Sequence, residues 1–233
     1  MEMRHKYLLL DMDMTLLNFK KSEKYAFKEI MDSLGLTFTE DDYIRYSHIN
    51  DEFWKKLEKG LITRKQLLDG RFSEFAEKWG TDSVKLNEMF INNLAGRNDW
   101  LSGAEDFLRT LHESGKYPVY IATNGPVFTV MGRINASGLA KYVDDIFISE
   151  ALGASKPDPA FFERIFDKIG DHDSSNYILI GDRLSSDIKG ANNVGMDCIL
   201  FAHDGNLPED LGGYKVDHFA GSYKELQDLL EVP

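Results

Sequence analysis

Asp11-Met12-Asp13-Met14-Thr15 sets two carboxylates two residues apart, directly after the short apolar run Tyr7 to Leu10. A run that short suits a buried strand, and ligands in open α/β sheets gather beyond the carboxyl ends of such strands. Two carboxylates placed there read as a catalytic loop. An Asp after a strand also commonly serves only to turn the chain, so the motif needs company. Thr123-Asn124-Gly125 follows a second strand-like run, Val119 to Ala122, and offers a hydroxyl, an amide and a backbone free to approach an anion. Alone it reads first as an ordinary turn.

Lys156, within Ser155-Lys156-Pro157-Asp158-Pro159, precedes a helix expected from about Asp158 to Ile169. The prolines fix where the ammonium group is presented, although a lone lysine is most often solvated surface. Gly181-Asp182 ends a third apolar run, Tyr177 to Ile180, and Asp187 follows five residues after Asp182. Asp11 and Asp182, delivered from two strand ends, can share one hard divalent cation, without which they repel each other. Asp187 has two readings: a support for metal-bound water or for Lys156, or an acid favoured by a helix N-terminus.

In chain order, Asp-x-Asp-x-Thr, Thr-Asn, Lys-Pro and Gly-Asp-x-x-x-x-Asp resemble the four motifs of the haloacid dehalogenase-like hydrolase superfamily, over residues 11 to 187. The resemblance implies an α/β fold, a doubly wound, Rossmann-like parallel sheet with an inserted helical cap domain. It also implies Asp11 as nucleophile and Asp13 as general acid and base. Thr123, Asn124 and Lys156 are the implied phosphate-binding residues, with Mg2+ held by Asp11, Asp182 and the backbone carbonyl of Asp13. Dehalogenases of the superfamily lack the second Asp, so Asp13 disfavours that chemistry. A phosphomutase, or a sugar-phosphate or phosphoglycolate phosphatase, stays open beside a nucleotidase, and a non-enzymatic phosphate binder is disfavoured because Asp11, Asp13, Thr123, Lys156 and Asp182 are all present. Met14 stands where many relatives place Gly, Asp or Asn, and is expected to point away from the metal.

These residues need elements to position them. Residues 17 to 96 have helical spacing throughout, and a structureless connection of that length would be improbable. Four helices are expected there as an inserted cap, with residues 1–16 and 97–233 as the catalytic core. Phe27, Ile30, Met31 and Leu34 fall on one face before Gly35; Thr39 with Asp42 and Thr63 with Gln66 read as capping-box starts, and Gly60 and Gly80 as stops. Phe53, Trp54, Leu57, Phe72, Phe75 and Trp79 read mainly as cap core. In the core, Ala104 to Glu113 and Ser222 to Leu230 read as helices, with Ile146 to Ile148 and Cys198 to Phe201 as further strands.

Asn50 to Trp54, Glu58 to Arg64 and Arg71-Phe72 carry the patterns Asn-x-x-x-Trp, Glu-x-Gly-x-Ile-x-Arg and Arg-Phe. In these the cap resembles bacterial pyrimidine 5'-nucleotidases of the YjjG and YfnB type. Arg71 then reads either as a substrate contact or as the partner of a cap carboxylate. His48 reads first as a half-buried histidine with a hydrogen-bond partner, and second as a substrate contact.

A net charge of −12 at pH 7 argues against binding a nucleic-acid polymer, which needs concentrated Lys and Arg. The expected partner is a small phosphorylated metabolite, bound by a monomer or weak homodimer. The one cysteine, Cys198, suits a small apolar position in a reducing cytoplasm. Met1 to Lys6 is too charged, and the apolar run after it too short, for a leader or membrane span.

Overall fold

Leu8, Leu9 and Leu10 are fully buried because their strand lies inside a sheet covered on both faces. Leu8 and Leu10 enter one hydrophobic cluster and Leu9 the other, which is why a parallel strand in this position reads as an unbroken apolar run. The computed structural model describes residues 5–203, 205–206 and 208–233; most of the Met1 to Lys6 reading lies outside them, at residues 1–4.

The chain forms β1 (Tyr7–Leu10), then five helices: α1 (Phe19–Ser33), α2 (Glu40–Glu58), α3 (Arg64–Gly70), α4 (Ser73–Trp79) and α5 (Ser83–Ala95). It continues with α6 (Ala104–Ser114), β2 (Val119–Thr123), α7 (Val127–Ser137), β3 (Asp145–Ile148), α8 (Ser149–Leu152) and α9 (Pro159–Ile169). β4 (Tyr177–Gly181), α10 (Lys189–Asn193), β5 (Asp197–Phe201), β6 (His218–Ala220) and α11 (Tyr223–Leu230) complete it. The six strands run parallel in the order β3-β2-β1-β4-β5-β6. That is the doubly wound order, and its switch point lies between β1 and β4, where a crevice opens at the carboxyl edge. Leu10 pairs with Ile121 on one side and Ile180 on the other, so the three central strands deliver their following residues to one level.

Apolar faces of α6, α7 and α11 cover one side of the sheet, through residues such as Phe107, Ile134 and Leu226. Phe161, Phe162, Ile165 and Phe166 of α9 cover the other. A third cluster, with Phe27, Tyr46, Phe72, Phe75 and Phe90, belongs to the inserted helices alone.

The helix starts follow local chemistry. Thr39 accepts the N–H of Asp42, and Thr63 and Gln66 form a complete capping box. Gly80 closes α4 in the left-handed conformation. Between Thr63 and Gly80, however, the single helix implied by a four-helix cap is two helices, making five. Gly70 gives α3 a bare backbone: a Cβ there would lie 2.7 Å from the Phe53 ring. Arg71 and Phe72 are both buried, the Phe72 ring 4.5 Å from that of Tyr46, and α4 starts again at Ser73. A second correction concerns α2. Phe53, Trp54 and Leu57 are half-buried and lie outside the cap's buried cluster, because that helix turns this stripe toward α3 and the sheet edge instead.

Candidate active site

Asp11 leaves β1 with its N–H bonded to the carbonyl of Ile180 at 2.9 Å, so the adjoining strand fixes its main chain. Asp182 follows β4 next door. Asp187 sits on one π-helical turn, Leu184–Ile188, and comes so close to Gly181 that a Cβ there would lie 2.4 Å from its carboxyl carbon. Gly181 is therefore required by the side chain opposite it. The Asp187 carboxylate accepts the N–H of Arg183 at 3.0 Å and Lys156 Nζ at 2.6 Å.

Lys156 is 1% exposed and uses all three of its N–H groups: to Asp11 Oδ1, to Asp187 Oδ1 and to the carbonyl of Ala122, each at 2.6 Å. Asn124 sets the lysine's main chain. Its Oδ1 accepts the Lys156 N–H at 2.9 Å and its Nδ2 donates to the Lys156 carbonyl at 2.8 Å. The Asn124 amide thus orients the lysine, and Asn124 lies on the same cavity wall. Thr123 is buried at the end of β2, with its hydroxyl 3.4 Å from the N–H of Gly125.

Charge in this cluster is unbalanced. Burial pushes the Asp11 carboxyl up to about 7 despite Lys156 beside it, with Asp187 and Asp13 adding to the rise. Burial, Asp11 and Asp187 together hold Asp182 well above the usual carboxylate range. Burial opposes the charge on Lys156, but Asp11 and Asp187 outweigh it and keep the ammonium protonated. Among the described residues, Asp11, Asp182 and Asp187 offer carboxylate oxygens all within 4.8 Å of one another. Hard oxygen donors with surplus negative charge fit a Mg2+-like cation.

The cluster forms the floor of a cavity of about 970 Å³, counted to its open mouth. Asp13, Thr123 and Asp182 join Asp11 and Lys156 on its wall, so the four motifs do converge. Asp13 is ion-paired with Arg133 of α7, which is 2% exposed. Nε and Nη2 of Arg133 find no hydrogen-bond partner among the described residues. Sequence reasoning missed Arg133: a single arginine inside a helix carries no motif.

A family model described as haloacid dehalogenase-like hydrolase matches residues 5–195. The chain belongs to this family. Pyrimidine 5'-nucleotidase PynA of Streptococcus pneumoniae is 35% identical to this hydrolase over 98% of the chain and 96% of the relative. Pyrimidine 5'-nucleotidase YjjG of Escherichia coli is 33% identical over 98% and 99%. Among solved structures, the HAD-hydrolase YfnB of Bacillus subtilis bound to magnesium matches with a TM-score of 0.89 at 28% identity, covering 97% of this chain and 99% of that one.

In this haloacid dehalogenase-like hydrolase the cap residues singled out by sequence divide. Arg71 is 3% exposed on the cavity wall, and its partners are amides rather than a cap carboxylate: Asn87 Oδ1 at 2.7 and 2.9 Å and Asn50 Oδ1 at 3.2 Å. The carboxylate nearby, Glu23, is taken instead by Asn50, Ser47 and Tyr43. His48 is exposed on α2 and off the cavity wall, neither half-buried nor a ligand in this arrangement. Its place on the helix, two residues from the buried Tyr46, turns it to solvent. Trp54 lines the cavity. Met14 lines it too, with φ +60. A left-handed residue costs about 1–2 kcal/mol without glycine, which accounts for the Gly, Asp or Asn of the resembling motifs.

Proposed function

We propose that this hydrolase is a Mg2+-dependent phosphomonoesterase acting on nucleoside monophosphates, with a preference for pyrimidine or modified bases, through an aspartyl-phosphate intermediate. The observation that carries the reading is the placement of Asp11 and Asp13 on the wall of one cavity, with Lys156 against Asp11. In this reading residues 1–16 and 97–233 are the catalytic core and 17–96 the cap that shapes the leaving-group pocket.

Asp11 attacks phosphorus, forming a P–O bond as the ester P–O bond breaks, and Asp13 gives its proton to the departing alcohol. For that step Asp13 exchanges Arg133 for the leaving oxygen. Asp13 then takes a proton from the water that attacks the acyl phosphate, which returns Asp11 and frees phosphate. Lys156 and Thr123 hold phosphoryl oxygens, and Asn124 keeps the lysine in place. Mg2+, when held by Asp11, Asp182 and the backbone carbonyl of Asp13, with Asp187 beside them, neutralises charge between the anionic attacker and the anionic ester. Arg71 faces the leaving group from the cap.

The full-length likeness to two pyrimidine 5'-nucleotidases supports the substrate class. The test is phosphate release with Mg2+ and with chelator across nucleoside monophosphates, sugar phosphates and phosphoglycolate, with Asp11→Asn as the blank. Mg2+-dependent release, greatest from pyrimidine nucleotides and absent from the variant, is expected. Preference for sugar phosphates would keep the chemistry and discard the substrate class. Turnover by Asp11→Asn would remove the nucleophile assignment, and an isomerised product without free phosphate would mark a mutase.

A further inference from the structure

The turn between α2 and α3 grips the core at both of its ends. Glu58 closes α2 and accepts Arg183 Nη1 at 3.2 Å and Ser185 Oγ at 2.8 Å. Asp51, two turns earlier on the same helix, accepts Arg183 Nη2 at 3.1 Å. Arg64 opens α3 and donates to the Asn124 carbonyl at 3.2 Å and to Ser149 Oγ at 2.8 Å. Ser149 in turn donates to the same Asn124 carbonyl at 3.1 Å. Gly60, with φ +68, lets the chain reverse between the two grips, and the Thr63–Gln66 capping box fixes where α3 begins and so where Arg64 points.

Each grip lands on a loop that carries the chemistry, one residue removed from it. Arg183 follows Asp182, and its N–H is bonded to Asp187. Asn124 holds the Lys156 main chain at both ends, and Lys156 holds Asp11. Glu58 is largely desolvated in this contact, its side chain 7% exposed, so it depends on Arg183 and Ser185 for partners.

We infer that Glu58 and Arg64 are positioning residues: the turn between them couples seating of the cap to the alignment of Lys156, through Asn124, and of the Asp182–Asp187 loop, through Arg183 and Ser185. The inference rests on the reading of Lys156 and Asp182 as parts of a phosphatase site. Its geometry requires no bound substrate. A cap seated wrongly then misplaces the lysine, and misplacement by about 1 Å can cost on the order of 100-fold in rate.

The test compares wild type with Arg64→Met, Arg64→Lys and Glu58→Gln in the full chain, after circular dichroism confirms folding. Two readouts are taken: amide hydrogen exchange by mass spectrometry, and kcat and KM on p-nitrophenyl phosphate, whose leaving group makes no demand on base recognition. Arg64→Met should speed exchange in the segments holding Asn124 and Lys156, and lower kcat about tenfold or more with KM changed about twofold at most. Arg64→Lys should recover part of both effects. Glu58→Gln should speed exchange in the segment 182–188 and leave the Lys156 segment near wild type. Unchanged exchange in both loops, or a rise spread evenly over the cap, would overturn the inference, because either result marks an ordinary stability contact. If wild type hydrolyses no phosphate ester, the phosphatase reading fails while the exchange pattern still decides the coupling.

Discussion

Asp11 sits at about 7 although Lys156 Nζ is 2.6 Å away, so burial and neighbouring carboxylates outweigh its ion pair. An unfolded Asp titrates near 4, so between about pH 4 and 7 the folded state binds more protons than the unfolded one. Stability of the metal-free protein from this group therefore falls as pH rises through that window and stays low above 7. With chelator present, Asp11→Asn should melt above wild type at pH 8, the gap closing toward pH 4, while turnover is abolished. A variant that melts below wild type at pH 8 would show that attraction to Lys156 dominates after all. Asp11, Thr123, Lys156 and Asp182 were legible because each follows a strand or opens a crossover helix, where sequence and topology coincide. Arg133 and the amide partners of Arg71 were not, since they meet their partners only through the packing of helices far apart in sequence.

At the scale of elements, α5 and α7 form the joint between cap and core. A Cβ on Gly132 would lie 2.7 Å from both the Cβ and the carbonyl oxygen of Ala95, so the two helices touch backbone to side-chain stub. Gly132→Ala must force them apart, costing about 1–3 kcal/mol as overpacking does. Its melting temperature should drop by several degrees in a thermal scan, and an unchanged value would mean that the joint yields freely. Most elements could be read beforehand, because caps at Thr39, Thr63 and Ser222 and apolar runs at β1, β2, β4 and β5 are local signals. The division of α3 from α4 was hidden, since the chain leaves helical geometry at Arg71 and Phe72, whose burial depends on residues of other elements. β6 was hidden for a different reason: His218–Ala220 is a three-residue edge strand with too few apolar side chains to show a period.

For the molecule as a whole, a charge of −12 opposes binding of polyanions, while the phosphate contact proposed for Lys156 lies inside the cavity. Anisotropy of a labelled single-stranded oligonucleotide should stay flat on titration with the protein at about 50 mM salt, where nonspecific binders are retained most strongly. A rise that vanishes with added salt would reveal a basic surface hidden by the average. Among the described residues no helix is long and apolar enough to cross a membrane. The sequence showed the insertion between β1 and β2 through its length, yet not the third hydrophobic cluster, which depends on how Tyr46, Phe72 and Phe90 meet. That arrangement has a consequence for synthesis. The central strand is made before both of its partners, for Leu8 pairs with Val119 and Ile178, which leave the ribosome only after the whole of α1 to α5. The cap, contiguous in sequence and equipped with its own core, can fold while β1 still waits for neighbours. The strand that leads into Asp11 is thus made before both of its partners and enclosed only after them.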